Sequence, residues 1–172
     1  MTRPMTWAIL IFVGVGLWLA HVTLAQEAEL GEADRAFIKM AASSGQAEIQ
    51  LGKLAAERAE SSDVRDFAKR LEKDHTHANL ELLKILNAQR IDVSRDMEPY
   101  QTAAAELTKL RGVEFDRAYL RHMVKEHEEA VAQFAAEAKE GRHPELKAYA
   151  AKVLPTLQEH LQLARDLAAK YQ

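Results

Sequence analysis

Residues 64–85, VRDFAKRLEKDHTHANLELLKI, read as one face of a long helix. Val64, Phe67, Leu71, His75, Ala78, Leu82 and Ile85 recur at spacings of three and four, the period of an amphipathic helix rather than a strand. One residue on that stripe is out of character. His75 stands mid-stripe among apolar side chains, and burying an imidazole costs free energy unless something satisfies it. Ser61 and Ser62 just ahead suit an N-cap, so a helix from about residue 63 to 88 is expected.

The same arrangement recurs on either side. Upstream, from about residue 33 to 58, the stripe is Phe37, Ala41, Gly45, Glu48, Gly52, Ala55 and Ala59. Its small residues admit a partner helix at close range, and Glu48 holds the mid-stripe place. Downstream, a third pattern begins after Gly112 and ends at Gly141, a suitable C-cap. It carries Leu120, Val124, His127, Val131 and Phe134. A fourth starts at Pro144, fit for a first helical position, with Leu146, Ala150, Val153, Leu157, His160, Ala164 and Leu167.

The turns between the first and second patterns, and between the third and fourth, are short, so each pair forms an antiparallel hairpin. Residues 89–111 make a longer link, in which Pro99 opens a short helix through Leu110. The expected fold is therefore all-α, a ferritin-like four-helix bundle with a long crossover carrying a short helix.

One titratable residue per helix lies at similar depth. Glu48 is 13 residues before Ser61, and His75 is 14 after it. His127 is 14 before Gly141, and His160 is 19 after it, an offset of about five residues or ~7.5 Å along a helix. Glu48, His75, His127 and His160 should converge in the bundle interior. Each histidine follows an acid: Asp74, Glu126 and Glu159. A neighbour lies about 100° round the helix, at a seam, where it serves as an orienting partner, a further ligand or a solvated charge. Imidazoles with a carboxylate suit a transition metal ion, Zn, Fe or Cu. The competing reading is that polar core residues fix register and bind nothing.

Composition excludes several classes. Hydrophobic residues are 48%, charged residues 28% and aromatics 6%, as in an alanine-rich helical globular protein. The net charge of −3 gives no general attraction to nucleic acid or anionic membranes. Without cysteine there is no disulfide framework, thiolate site or cysteine nucleophile. No nucleophile elbow or phosphate loop is present.

The N-terminus is set apart. Arg3 precedes the apolar run WAILIFVGVGLWLA at 7–20, and Thr23-Leu24-Ala25 offers the small residues that a signal peptidase reads. Residues 1–25 are expected to be a signal peptide and 26–172 the bundle domain, periplasmic or otherwise exported. The run is short for a spanning helix, so no stable membrane insertion is expected after cleavage; a retained anchor is the alternative.

The segments FIKMAASSGQAEIQLGKLAAERA, VRDFAKRLEKDHTHANLELLKI, GVEFDRAYLRHMVKEHEEAVAQF and LKAYAAKVLPTLQEHLQLA resemble a family of bacterial exported domain-of-unknown-function proteins, often labelled outer membrane proteins. The resemblance spans about residues 33–169 and implies a ferritin-like bundle, without an established activity. No amphipathic strand pattern supports an outer-membrane barrel.

Ferritin-like di-iron centres use a Glu on two helices and Glu-x-x-His on two others. Glu72 to His75 fits that pattern, and Glu48 and Glu126 supply carboxylates. Leu157 stands three residues before His160, where the pattern needs an acid. A His-rich site is expected rather than a di-iron oxidase, and no catalytic residue is assigned.

Pro155 should bend the fourth helix or remove one of its hydrogen bonds. His77, His122 and His143 read as surface groups, and Asp116 with Tyr119 as a polar contact at the start of the third helix. Two functions follow: an exported metal-binding protein for storage, buffering or stress protection, and a non-catalytic helical interaction module with structural core histidines.

Overall fold

The computed structural model describes residues 30–171; the expected signal peptide lies outside them. The helices are α1 (Glu32–Arg58), α2 (Ser62–Ala88), α3 (Glu98–Leu107), α4 (Gly112–Glu140) and α5 (Pro144–Ala169), with no strand among the described residues. None of these helices is long and apolar enough to cross a membrane.

Contacts run from α1 to α2, α2 to α5, α5 to α4 and α4 back to α1, with α3 laid against α1 and α4. The directions follow from the ends. Lys170, just after α5, pairs with Asp63 at the start of α2 at 2.8 Å, and Gln89, just after α2, bonds Glu145 at the start of α5 at 3.1 Å. These two helices are antiparallel. So are α1 and α4, because the start of each holds the turn that follows the other. The α2–α4 link therefore starts at one end of the helices and finishes at the other, which a tight turn cannot do.

Two aspartates fix those ends. Asp34 Oδ1 accepts the backbone N–H groups of Arg142 and His143 at 3.1 and 3.4 Å, and Oδ2 accepts that of Gly31 at 2.8 Å. Asp116 accepts those of Glu60 and Ser61 at 3.0 and 2.8 Å, and the Tyr171 hydroxyl at 3.3 Å. The expected Asp116–Tyr119 contact is thus corrected: Asp116 serves the α1–α2 turn, and the Tyr119 hydroxyl has no hydrogen-bond partner. Ser61 stands at the cap position, but its hydroxyl makes no cap bond; its own N–H is held by Asp116 instead. His143, expected at the surface, is buried at 4% exposure because Asp34 draws the α4–α5 turn inward. The short helix stops at Leu107 rather than Leu110, since the Lys109 and Leu110 N–H groups bond three residues back in a turn.

Two apolar clusters fill the interior. One gathers Leu51, Val64, Leu71, Phe115, Leu120 and Met123, and the other Phe37, Leu82, Phe134, Leu146 and Tyr149. Each fully buried large side chain contributes roughly 1.5–3 kcal/mol. On every long helix the two clusters are separated by a titratable residue: Glu48, His75, His127 and His160 occupy the layer between them. Gly52 lets α1 approach α2, since a Cβ there would stand 2.9 Å from the Ala68 carbonyl oxygen. In the second half of α2 the buried face moves to Asn79, Leu82 and Leu86, with Ala78 and Ile85 half-buried. α5 continues through Pro155, whose ring is exposed and whose missing N–H leaves the Ala151 carbonyl without its helical donor.

Candidate metal centre

Three imidazoles meet in the middle layer. His75 on α2, His127 on α4 and His160 on α5 have ring centroids 5.6, 5.6 and 5.4 Å apart, and one nitrogen from each lies within 4.8 Å of the others. His127 and His160 are 1% exposed and His75 is 8% exposed.

The rings are oriented from outside. His127 Nδ1 lies 2.9 Å from the Met123 carbonyl oxygen, which only accepts, so Nδ1 donates and Nε2 keeps its lone pair. His160 Nε2 donates to Asp74 Oδ2 at 3.0 Å, which leaves Nδ1 as its free nitrogen. His75 Nε2, His127 Nε2 and His160 Nδ1 are buried and have no hydrogen-bond partner. Unpaired buried polar atoms are uncommon and need an explanation.

Burial also keeps the rings neutral. It holds His75 well below the usual imidazole range, with the nearby His127 and His160 adding to the effect. His127 is lowered to about 4, by burial and then by His160, against the opposing Met123 carbonyl. His160 is lowered by burial, in part offset by its bond to Asp74. Neutral imidazole is the ligating form, so these rings need not lose a proton near neutral pH.

Glu48 lies on the α1 side. Its Oε1 is 3.6 Å from His127 Nδ1, the nitrogen bonded to Met123, and its Oε2 is buried without a partner. Burial, with the charge of Glu126, pushes its carboxyl up to about 8. It does not belong to the group within 4.8 Å. Asp74 acts through His160 and also receives Arg70 Nε at 3.5 Å; Arg70 in turn pairs with the exposed Glu159 at 2.7 Å. The sequence-predicted acids thus take different places. Asp74 orients a ring, Glu159 anchors the arginine beside Asp74, and Glu126 is half-buried near Glu48. Glu72, the acid of the Glu-x-x-His pattern, is outside the group.

Two spaces adjoin the rings. A solvent-open pocket of about 240 Å3 between α2 and α5 reaches His75 and His160 past Arg70, Asp74, Glu81 and Lys152. A small chamber of about 20 Å3 reaches His75 and His127, bounded by Ser44, Glu48, Asn79, Glu126, Tyr149 and apolar side chains. Sequence reading missed Asn79, which packs against Gly45, and took Tyr119 only as a partner for Asp116; the buried Tyr119 hydroxyl is pushed well above its ordinary range by burial and by Glu48.

Fold and site together define an all-helical domain with a histidine-lined interior. The chain belongs to the family described as Domain of unknown function (DUF4142), whose model matches residues 20–167. Its structure is similar to that of a Streptomyces coelicolor protein, DUF305, provisionally described as secreted: the TM-score is 0.69 at 16% identity, over 81% of this chain and 91% of that one. At that identity the likeness speaks to the fold alone. No curated protein matches the chain.

Proposed function

We propose that this is an exported ferritin-like protein that binds one transition metal ion through His75, His127 and His160, for storage, buffering or stress protection. One observation carries the reading. Three imidazoles from three helices each bring one nitrogen within 4.8 Å of the other two, and each ring has a buried nitrogen without a partner. In two of them the other nitrogen is held by a carbonyl or carboxylate, as metal-bound histidines usually are. A metal ~2.1 Å from each nitrogen requires only modest closure of the rings. Zn, Fe and Cu all accept such a set. The order of helices and the end-to-end crossover support the ferritin-like assignment. Export is supported by the apolar segment at 7–20 and agrees with the description of the Streptomyces protein.

The test is elemental analysis of untagged protein, with His75→Ala/His127→Ala as the control. About one Zn, Fe or Cu per chain, lost in the double variant, is the expected result. If neither the isolated protein nor protein incubated with these ions retains metal, the interaction-module reading stands instead.

A further inference from the structure

Three histidines fill three positions, and metal centres with three protein ligands keep a fourth for a water or an added molecule. The two spaces beside the rings differ in what they would admit there.

In the open pocket between α2 and α5 the carboxylates, the arginine and the lysine already have partners. Arg70 pairs with Glu159, Asp74 holds His160, and Lys152 pairs with Glu81 at 2.8 Å. Beyond the ring nitrogens, a buried carboxyl oxygen without a partner borders the smaller chamber. Glu48 Oε2 is buried, with the whole residue 5% exposed, and no group bonds it. Glu48 bounds the small chamber together with His75 and His127, and the remaining wall includes Ala41, Ala130 and Phe134. At about 20 Å3 the chamber exceeds the ~10–15 Å3 that one water needs, but is far too small for a ring or a branched molecule.

Resting on the metal reading above, we propose that the centre keeps its open position toward this chamber and takes an added ligand of only two or three heavy atoms, held against Glu48. The site is then selective by size. Small linear ligands reach the metal, whereas bulkier donors, which the α2–α5 pocket would admit, do not.

The experiment uses untagged protein loaded with Co(II), whose visible bands report its ligands, titrated separately with azide and with imidazole. The expected result is saturable perturbation of the bands by azide and none by imidazole. Ala130 bounds the chamber but not the open pocket. Ala130→Leu should keep the cobalt bands and weaken azide binding at least tenfold, and Ala130→Val serves if leucine prevents folding. Perturbation by imidazole as strong as by azide would place the open position toward the α2–α5 pocket and overturn the inference. So would cobalt bands that respond to neither ligand, or an azide response unchanged by filling the chamber. Absence of cobalt bands in wild-type protein removes the metal reading itself, and this inference with it.

Discussion

Asp34 and Asp116 hold equivalent posts in the two hairpins: each sits near the start of its hairpin's first helix and binds two backbone N–H groups in the other hairpin's turn. Both are 1% exposed. The equivalence is written in the chain. Glu32-Ala33-Asp34-Arg35-Ala36-Phe37-Ile38-Lys39 reappears as Glu114-Phe115-Asp116-Arg117-Ala118-Tyr119-Leu120-Arg121. The reciprocal grip sets how deeply the hairpins interlock, and so the height at which the histidines meet.

Asp116→Asn should therefore destabilise the protein by roughly 1–3 kcal/mol, since the amide offers one acceptor oxygen where the carboxylate offers two, and a buried N–H is left facing an NH2 group. Urea denaturation measures the loss. Hydrogen exchange should quicken at Glu60 and Ser61 more than at the α4–α5 turn. Uniform quickening across the protein would count against a local role for Asp116.

The long helices were legible because each carries a continuous three-and-four stripe, and local periodicity needs no knowledge of partners. The layer of Glu48, His75, His127 and His160 was legible for a related reason, as a titratable side chain on an apolar stripe is anomalous by itself. What depends on contacts distant in sequence was not. His143 is buried because Asp34 holds its backbone. Asp74 reaches His160 only because the α2–α5 seam brings them together. Tyr119 looked like a partner for Asp116, but Asp116 turns to the α1–α2 turn. The repeated Glu-x-Asp-Arg-Ala segment was available in the sequence and would have pointed to the matched aspartates.

Without metal, stability should fall on both sides of a middle pH. The histidines are depressed in the folded state. Their contribution is present above the usual imidazole value near 6.5 and is lost as pH falls toward about 4, the His127 value. Glu48, pushed up to about 8 by burial, behaves oppositely: its contribution is present below about 4.5 and is lost as pH rises through 8. Glu137, raised to about 7 by burial and by Asp34, acts in the same direction. Glu48→Gln does not titrate, so its melting temperature should decline less than wild type between pH 6 and 9. An identical alkaline decline in both proteins would assign that limb elsewhere.

Asp74→Leu removes the carboxylate that fixes His160 and leaves its Nε2–H without an acceptor. Loss of such an outer partner typically weakens metal binding 10–100-fold without removing a ligand. Competition with a chromophoric chelator should show that loss while the metal-to-protein ratio at saturation stays at wild type. Glu159→Gln, which alters an exposed residue attached only to Arg70, should change affinity less than threefold. Equal effects from the two substitutions would mean that Asp74 acts through general charge rather than through His160.

Metal should also stay bound to lower pH than ordinary imidazoles allow. Protons compete with metal only where they bind the folded apo-site, and burial has moved that competition down, to about 4 at His127. A site of exposed histidines would release metal as pH falls through about 6.5. Here a dialysis series should show wild-type protein retaining Zn through that range and releasing it only as pH falls further, toward about 4. Bound metal favours the folded state, so melting temperature should rise on Zn addition at pH 7, by an amount that grows with free Zn. His127→Ala removes one of three ligands and should abolish most of that rise. It also deletes a buried ring, so its metal-free melting temperature should be lower as well. The two effects separate by comparing the Zn-dependent increment alone. An increment in His127→Ala equal to that of wild type would show that Zn stabilises the protein from somewhere other than this centre.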